Sequence, residues 1–148
     1  MTTPQEVFIY PDHDTLAAAI GARLVTAIAD AQQARGTAHI SLTGGRGGTS
    51  ALAATLADPA CGAVDWSNVD FWWSDERFLP EGDPQRNETD SRAALLDHVN
   101  ALPEKIHYMP RLGEQFGDDV DAAAAGYAAE LAQAFNGAQA VFDVSMLG

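Results

Sequence analysis

The residues best suited to chemistry are Asp75, Glu76 and Arg77, which directly follow an apolar run from Val69 to Trp73. Five residues with three aromatics predict a strand that is buried on both faces and lies centrally in a parallel sheet. Ligands of open α/β sheets bind outside the carboxyl ends of the strands, so this cluster favours a site. Charged residues also end many strands simply because the chain reaches water, and that alternative stays open for each residue alone.

A glycine-rich segment, Thr43 to Ser50, is the second candidate part of a site. It places four glycines between a predicted strand and a predicted helix. Such a turn can aim backbone N–H groups and the helix dipole at an anion, for example a phosphate. No lysine follows the glycines, so the segment is not a P-loop, and it fills only part of the dinucleotide-binding fingerprint. A plain turn between strand and helix is the alternative.

The net charge of -13, from 8 basic and 21 acidic residues, excludes nonspecific binding to nucleic acid or to an anionic membrane. A small anionic substrate is compatible with this charge only where local arginines and backbone amides reverse the field. Arg46, Arg77 and Arg86 all fall in predicted loops and are candidates for that role. Solvated surface is the alternative for each of them.

Length and composition indicate one globular domain over residues 1–148. The single cysteine, Cys61, excludes an internal disulfide and a zinc site built from cysteines, and no two histidines have the spacing of metal ligands. No metal and no cofactor are therefore predicted, and the four histidines are interpreted as structural or solvated. Residues 1–6 lack the features of a signal peptide, which predicts a cytoplasmic protein.

The elements that must position these residues alternate along the chain. Strands are predicted over residues 7–10, 39–43, 69–73, 106–109 and 140–144. Helices are predicted from an N-cap at Asp12 to about Gly36, from the glycine-rich segment to Asp58, over 93–99 and over 120–135. This order predicts an α/β fold with a mainly parallel sheet and helices on both faces, doubly wound and Rossmann-like. The buried central strands are expected at 40–42, 71–73 and 141–144.

Four motifs occur in a characteristic order: Thr43-Gly44-Gly45, Asp75-Glu76-Arg77-Phe78-Leu79-Pro80, Arg86-Asn87, and the stretch from Phe142 to Gly148. In order and spacing they resemble the 6-phosphogluconolactonases, over nearly the whole chain. The Asp-Glu-Arg block with its downstream Asn is the most specific motif, whereas Arg46 to Thr49 departs from the commoner Ser-Thr-Pro. The related glucosamine-6-phosphate deaminases usually carry Tyr at the position of Arg77, and this favours the lactonases.

The resemblance implies hydrolysis of 6-phosphogluconolactone, a small phosphorylated sugar lactone, in the oxidative pentose phosphate pathway, without metal or cofactor. It implies catalytic roles for Asp75 and Arg77. The substrate-binding residues that it implies are Thr43, Gly44, Gly45, Arg46, Arg86 and Asn87. The resemblance makes no prediction of oligomeric state.

The resemblance also concerns the extent of the chain. In this family the segment ending in Leu-Gly continues into Met-Gly-x-Asp-Gly-His, whose His is the general base, and that motif lies outside residues 1–148. The chain is therefore expected to be the N-terminal three-fifths of a longer family member and to be inactive alone. Two alternatives remain: a sugar-phosphate isomerase or deaminase that uses Asp75 for proton transfer at carbon, and a non-catalytic sugar-phosphate-binding protein if the chain ends at Gly148.

Overall fold

The computed structural model describes residues 3–148. Within that range it contains a three-stranded sheet of β1 (Ala38–Leu42), β2 (Val69–Trp73) and β3 (Val144–Ser145). The α-helices are α1 (His13–Arg35), α2 (Gly45–Ala57), α3 (Asn87–Ala94) and α4 (Val120–Ala134). Short 3-10 helices cover Cys61–Ala63, Trp66–Asn68, Leu96–His98 and Pro103–Lys105. Across the same residues, no helix is long and apolar enough to cross a membrane.

The sheet is parallel and its order is β2-β1-β3, so β1 lies in the centre. The chain passes from β1 to β2 on one side and then returns to place β3 on the other side. The direction of winding therefore reverses at β1. In open α/β sheets, ligands bind where this reversal opens a crevice beyond the carboxyl ends of the strands. Here the crevice lies beyond the carboxyl end of β1 and is bordered by the segments that follow β1, β2 and β3.

The two faces of the sheet are covered differently. Side chains of a strand alternate between faces, and the register pairs Ile40 with Phe71 and Leu42 with Trp73. These four side chains form the core with buried residues of α1 and α2, including Leu24, Val25, Ile28, Ala51 and Leu52. Trp72 faces the other way, where it packs against Tyr127 of α4 and Phe135 just beyond it. The predicted parallel sheet with helices on both faces is confirmed.

Local signals predicted several helix ends correctly. The Asp12 carboxylate accepts a hydrogen bond from the Thr15 amide at 2.7 Å and so caps α1, as expected of an N-cap. Gly36 ends that helix in the left-handed conformation, with φ of 82°. Asn136 and Gly137 also have positive φ and follow α4. Each of these ends depends on residues within one helical turn, which makes it readable from sequence.

Two predicted strands do not form. Residues 7–10 have no regular structure, and Val7 and Ile9 are largely exposed, because the run has no partner strand within residues 3–148. Residues 106–109 make a single parallel bridge, between Ile106 and Phe71. The His107 carbonyl is taken by the Tyr127 hydroxyl at 2.8 Å rather than by another strand, so the ladder ends there.

Three other predicted elements form, but at positions that differ from the prediction. The last strand covers Val144–Ser145 rather than 140–144, and Val141 is 66% exposed instead of buried. The helix expected over 93–99 begins earlier, as α3 at Asn87, and gives way to the 3-10 turn Leu96–His98. The strand expected to be central, β2, has β1 on one side and only the Ile106 bridge on the other. It is nevertheless almost completely buried because helices cover its faces.

Candidate active site at the switch point of the sheet

The glycine-rich segment forms one wall of the crevice at the switch point. Gly44 is the N-cap of α2, and within residues 3–148 no side chain caps this helix end. The first amide groups of a helix have no intrahelical acceptor, so these point away from the helix as donors. Gly45 has φ of 78°, which an L side chain rarely adopts. A Cβ on Gly48 would lie 2.6 Å from the Thr43 carbonyl oxygen, so only glycine allows α2 to approach β1 this closely.

The acidic loop after β2 forms the second wall. Asp75 and Arg77 are exposed and their side chains are accessible to a ligand. The Asn87 amide group donates to the Asp75 carbonyl at 3.0 Å and to its carboxylate at 3.4 Å. The Asn87 side chain also occupies the space where Gly44 has no Cβ, since a Cβ there would lie 1.8 Å from Asn87 Oδ1. Asp75, Asn87 and the glycine-rich segment are thus in direct contact.

Arg86 has a different position from the other candidate residues. Its side chain is completely buried, and its guanidinium donates to the carbonyls of Arg77 at 2.8 Å and Met109 at 2.8 Å. It is also paired with the buried carboxylate of Glu88 at 3.2 Å. In this arrangement Arg86 holds the backbone of the acidic loop and presents no group to the crevice. A loop rich in Pro, Gly and Asp gave no signal of this burial.

Arg46 and Arg77 differ from the other basic residues of the chain. Within residues 3–148 neither guanidinium lies within 4.0 Å of a carboxylate, while every other basic residue has a partner. Ion pairs hold Arg35, Arg86, Arg92, Lys105 and Arg111, and Arg23 lies over the Phe8 ring at 4.1 Å. Of the two cations without such a partner, Arg77 lies on the acidic loop, whereas Arg46 lies in the first turn of α2 and not in a loop as predicted. An anion is the ligand that such an arrangement favours.

Two cavities adjoin these loops on either side of β3. One, of about 760 Å³, is lined by the glycine-rich segment, by apolar side chains of α1 and by residues 144–148. The other, of about 600 Å³, is lined by Arg77, Phe78, Trp72 and Tyr127 among others. Both volumes are in the range of small-molecule sites. Burial raises the pKa of Tyr127, so its hydroxyl borders the second cavity as a neutral group.

A second cluster of ionisable side chains lies at the opposite, amino end of the sheet. The His107 ring is 2.8 Å from both Asp70 and Glu130 and stacks on Trp72 with ring centres 3.7 Å apart. His39 lies 3.9 Å from Asp70. The histidines were predicted to be structural or solvated, and for His107 the contacts are indeed within the fold. The pairing of His39 with Asp70 follows from the parallel register of β1 and β2.

The sheet order and the position of the two loops identify the class of protein. It is a doubly wound α/β protein whose candidate site lies at the switch point of a parallel sheet. The family model described as glucosamine-6-phosphate isomerases/6-phosphogluconolactonase matches residues 11–148. The chain therefore belongs to the family of glucosamine-6-phosphate isomerases and 6-phosphogluconolactonases.

Individual relatives refine this comparison. A 6-phosphogluconolactonase of Streptomyces coelicolor is 51% identical over 150 residues, which cover 99% of this chain and 57% of the relative. The crystal structure of a 6-phosphogluconolactonase from Thermotoga maritima has a TM-score of 0.76 at 17% identity, covering 93% of this chain and 56% of that one. A monomeric glucosamine-6-phosphate deaminase has a TM-score of 0.71 at 16% identity, over 89% and 52%. These two structures support the fold alone. The chain spans 57% of the length of its Streptomyces relative.

Proposed function

We propose that residues 1–148 are the N-terminal part of a cytoplasmic enzyme that hydrolyses 6-phosphogluconolactone to 6-phosphogluconate. The proposal is supported by family membership and by the name of a relative that is 51% identical over 99% of this chain. Since this chain spans 57% of that relative, the proposal places the remaining catalytic groups in a following segment. The resemblance assigns the general base, a histidine, to that segment.

The observation that carries the proposal is the position of Arg46 and Arg77. The chain has a net charge of -13, which repels an anionic sugar phosphate at long range. Binding such a substrate requires local cations without a carboxylate partner. Within residues 3–148 Arg46 and Arg77 meet that condition: Arg46 lines the cavity of about 760 Å³ beside the glycine-rich segment, and Arg77 lines the adjoining cavity of about 600 Å³. Lactone hydrolysis needs no metal ion to activate the carbonyl, because a lactone is already an activated ester.

The proposed reaction is attack of water on the lactone carbonyl. A base removes a proton from water, whose oxygen attacks lactone carbon C1 and leaves a negative charge on the former carbonyl oxygen. Collapse of this tetrahedral species breaks the bond from C1 to the ring oxygen, which takes up a proton and leaves as a hydroxyl. In the proposed mechanism Arg77 stabilises the negative charge and Asp75 orients the sugar. The amides at the start of α2, with Arg46, hold the phosphate.

The test is acid release from freshly generated 6-phosphogluconolactone, measured for the full-length protein and for residues 1–148. Full-length protein is expected to release acid far faster than buffer, and residues 1–148 no faster than buffer. No acceleration by the full-length protein would contradict the lactonase proposal. Rapid turnover by residues 1–148 would show that the base lies within them, and Asp75 would be the first candidate.

A deaminase is the second candidate, because the family description includes glucosamine-6-phosphate isomerases and a solved deaminase has the same fold. The same full-length protein is therefore assayed for ammonia release from glucosamine 6-phosphate. The lactonase proposal predicts none. Ammonia release without lactone hydrolysis would replace the proposal by the deaminase, and binding of 6-phosphogluconate without either activity would indicate a sugar-phosphate-binding protein.

A further inference from the structure

Glu76 is the buried acid next to the two exposed residues of the acidic loop. Its side chain is 3% exposed although both sequence neighbours, Asp75 and Arg77, are exposed. A buried carboxylate is costly unless hydrogen bonds satisfy it. Its two oxygens accept from three backbone amides, those of Arg77 at 2.8 Å, Asn87 at 2.6 Å and Glu88 at 2.9 Å. Glu76 is therefore bound to the backbone at two places that are ten residues apart in sequence.

Two of these amides belong to the first turn of α3. Arg86 at the N-cap provides no side-chain hydrogen bond to this helix, and the first amides of a helix have no acceptor within it. The Glu76 carboxylate, which belongs to the acidic loop, accepts the hydrogen bonds that a capping side chain would otherwise accept. Its negative charge at the positive end of the helix dipole adds to the hydrogen bonds. The start of α3 at Asn87 thus depends on Glu76.

The position of α3 in turn sets the geometry of the crevice. Asn87 is the first residue of α3, and its side chain donates to Asp75 and lies against Gly44. The amide of Arg77 is held by Glu76 itself, and its carbonyl by Arg86. The contacts therefore run from Glu76 through Asn87 to both walls of the crevice.

We propose that Glu76 is a positioning residue: it fixes α3 against the acidic loop and so sets the distance of Asp75 and Arg77 from the glycine-rich segment. The proposal concerns the same site as the proposed function, and its kinetic test depends on that function. Glu76 borders the same cavity as Arg77, but both of its carboxylate oxygens are occupied by backbone amides. Its proposed effect therefore passes through the backbone and through Asn87. Misplacement of reacting groups by about 1 Å can cost about a hundredfold in rate.

Glu88 provides a matched control. It is equally buried, at 2% exposure of its side chain, and both carboxylates neighbour Arg86, Glu76 at 3.9 Å and Glu88 at 3.2 Å. Its carboxylate otherwise accepts from Arg111 at 2.9 Å and from no backbone amide of the crevice loops. Removing the charge of Glu88 therefore disturbs the same buried ion cluster but keeps the three bonds from backbone amides to Glu76.

The experiment compares Glu76→Gln with Glu88→Gln in the full-length protein, at a temperature where both are folded. Glutamine at position 76 has the shape of glutamate, but its NH2 group would face the Glu88 amide. Both groups are hydrogen-bond donors, so this hydrogen bond would be lost. We expect kcat/KM for 6-phosphogluconolactone to fall about ten- to a hundredfold in Glu76→Gln and to stay within about twofold in Glu88→Gln at a comparable loss of stability. Equal losses of activity in the two variants, or full activity in Glu76→Gln, would overturn the proposal.

Hydrogen exchange of residues 75–79 separates this proposal from the proposed function, because it needs no substrate. Exchange is expected to accelerate there in Glu76→Gln and to remain at the wild-type rate in Glu88→Gln, and equal rates in both would overturn the proposal even for an inactive protein. An inactive wild type would overturn the lactonase proposal alone. If Glu76→Gln does not fold, Asn87→Ala removes the connection to Asp75 and leaves Glu76 in place. It is expected to lower kcat/KM with little change in melting temperature, and full activity would overturn the proposal.

Discussion

The two ends of the sheet differ in whether their charged side chains have partners of opposite charge. At the amino end, Asp70 is within 4.0 Å of His39, His107 and Lys105, and His107 reaches Glu130 as well. At the carboxyl end, within residues 3–148, Arg46 and Arg77 have no carboxylate within that distance. The charged groups at the amino end satisfy one another, and those at the carboxyl end leave their charge available.

This difference predicts which charged groups stabilise the fold and which are available to bind a ligand. A paired, half-buried group contributes to folding through its partner, and its removal leaves that partner unsatisfied. An exposed cation without a partner contributes little to folding, so its replacement should be felt mainly when an anion binds. Variants at the carboxyl end should therefore change activity and variants at the amino end should change stability.

The largest effect is expected for Arg77→Ala in the full-length protein. Loss of a charged hydrogen bond to the substrate should lower lactonase kcat/KM by about 1.5 to 3 kcal/mol of transition-state binding. Arg77→Lys should recover part of the loss, because a point charge cannot reproduce the planar fork of a guanidinium. Melting temperatures should stay close to that of the wild type. Kinetics with 6-phosphogluconolactone and a thermal melt measure both quantities.

Arg92→Ala is the control for Arg77→Ala because it removes the same charge from a different place. Arg92 lies on α3, half exposed, and pairs with Glu81 and Asp97. Surface ion pairs of this kind contribute about 0 to 1 kcal/mol to stability. Its kcat/KM should equal that of the wild type at moderate ionic strength. An equal loss in both arginine variants would mean that net charge, and not the position of Arg77, determines binding.

A smaller effect is expected for Gly44→Ala compared with Gly47→Ala. A Cβ on Gly44 would collide with Asn87 Oδ1 and force that side chain away from Asp75, whereas nothing lies within 4 Å of a Cβ on Gly47. Gly44→Ala should lower kcat/KM about five- to tenfold, the cost of about one hydrogen bond. Gly47→Ala should keep activity and gain up to about 1 kcal/mol of stability, since alanine favours a helix. Equal values of kcat/KM in the two variants would show that the position of Asn87 does not affect activity.

The fold was predictable where local signals and burial agree. The apolar runs of β1 and β2 and the capping residue Asp12 each indicated the correct element. The short run at 7–10 has the same β propensity but no partner within residues 3–148, and propensity alone cannot supply one. The start of α3 at Asn87 could not be predicted because its cap, Glu76, is eleven residues away along the chain.

The candidate site was predictable in its location and not in its connections. The rule that ligands bind at carboxyl ends of parallel strands pointed to Asp75 and Arg77 and to the glycine-rich segment. The contact of Asn87 with both of them depends on how α3 packs, which no local pattern encodes. Arg86 and Arg77 look alike in sequence, each a loop arginine, and only the tertiary structure shows one buried and the other exposed.

The smallest effect on activity is expected for His107→Gln and His39→Gln. These variants also test whether the ionisable groups at the amino end of the sheet serve stability alone. Burial disfavours the imidazolium of His107, but hydrogen bonds with Asp70 and Glu130 outweigh it and raise the pKa of His107. Burial is the largest influence on His39 as well, and there it lowers the pKa, against the more distant charges of Asp70 and Asp143. The His39 Nδ1 also accepts a hydrogen bond from the Trp72 indole at 3.2 Å, which requires this nitrogen to be unprotonated.

The two histidines should therefore give opposite pH dependences of stability. The contribution of His107 is complete below the unfolded pKa of about 6.5 and is lost as the pH rises through its raised folded pKa. The contribution of His39 is complete above about 6.5 and is lost as the pH falls through its lowered folded pKa. Urea unfolding between about pH 5 and 9 should show His107→Gln most destabilised, on the order of 1 kcal/mol, at the acidic end and His39→Gln at the basic end. An unchanged kcat/KM in both variants would show that the amino end of the sheet is structural. If the loss of stability changed with pH in the same direction in both variants, the contacts of His107 with Asp70 and Glu130 would not determine its charge.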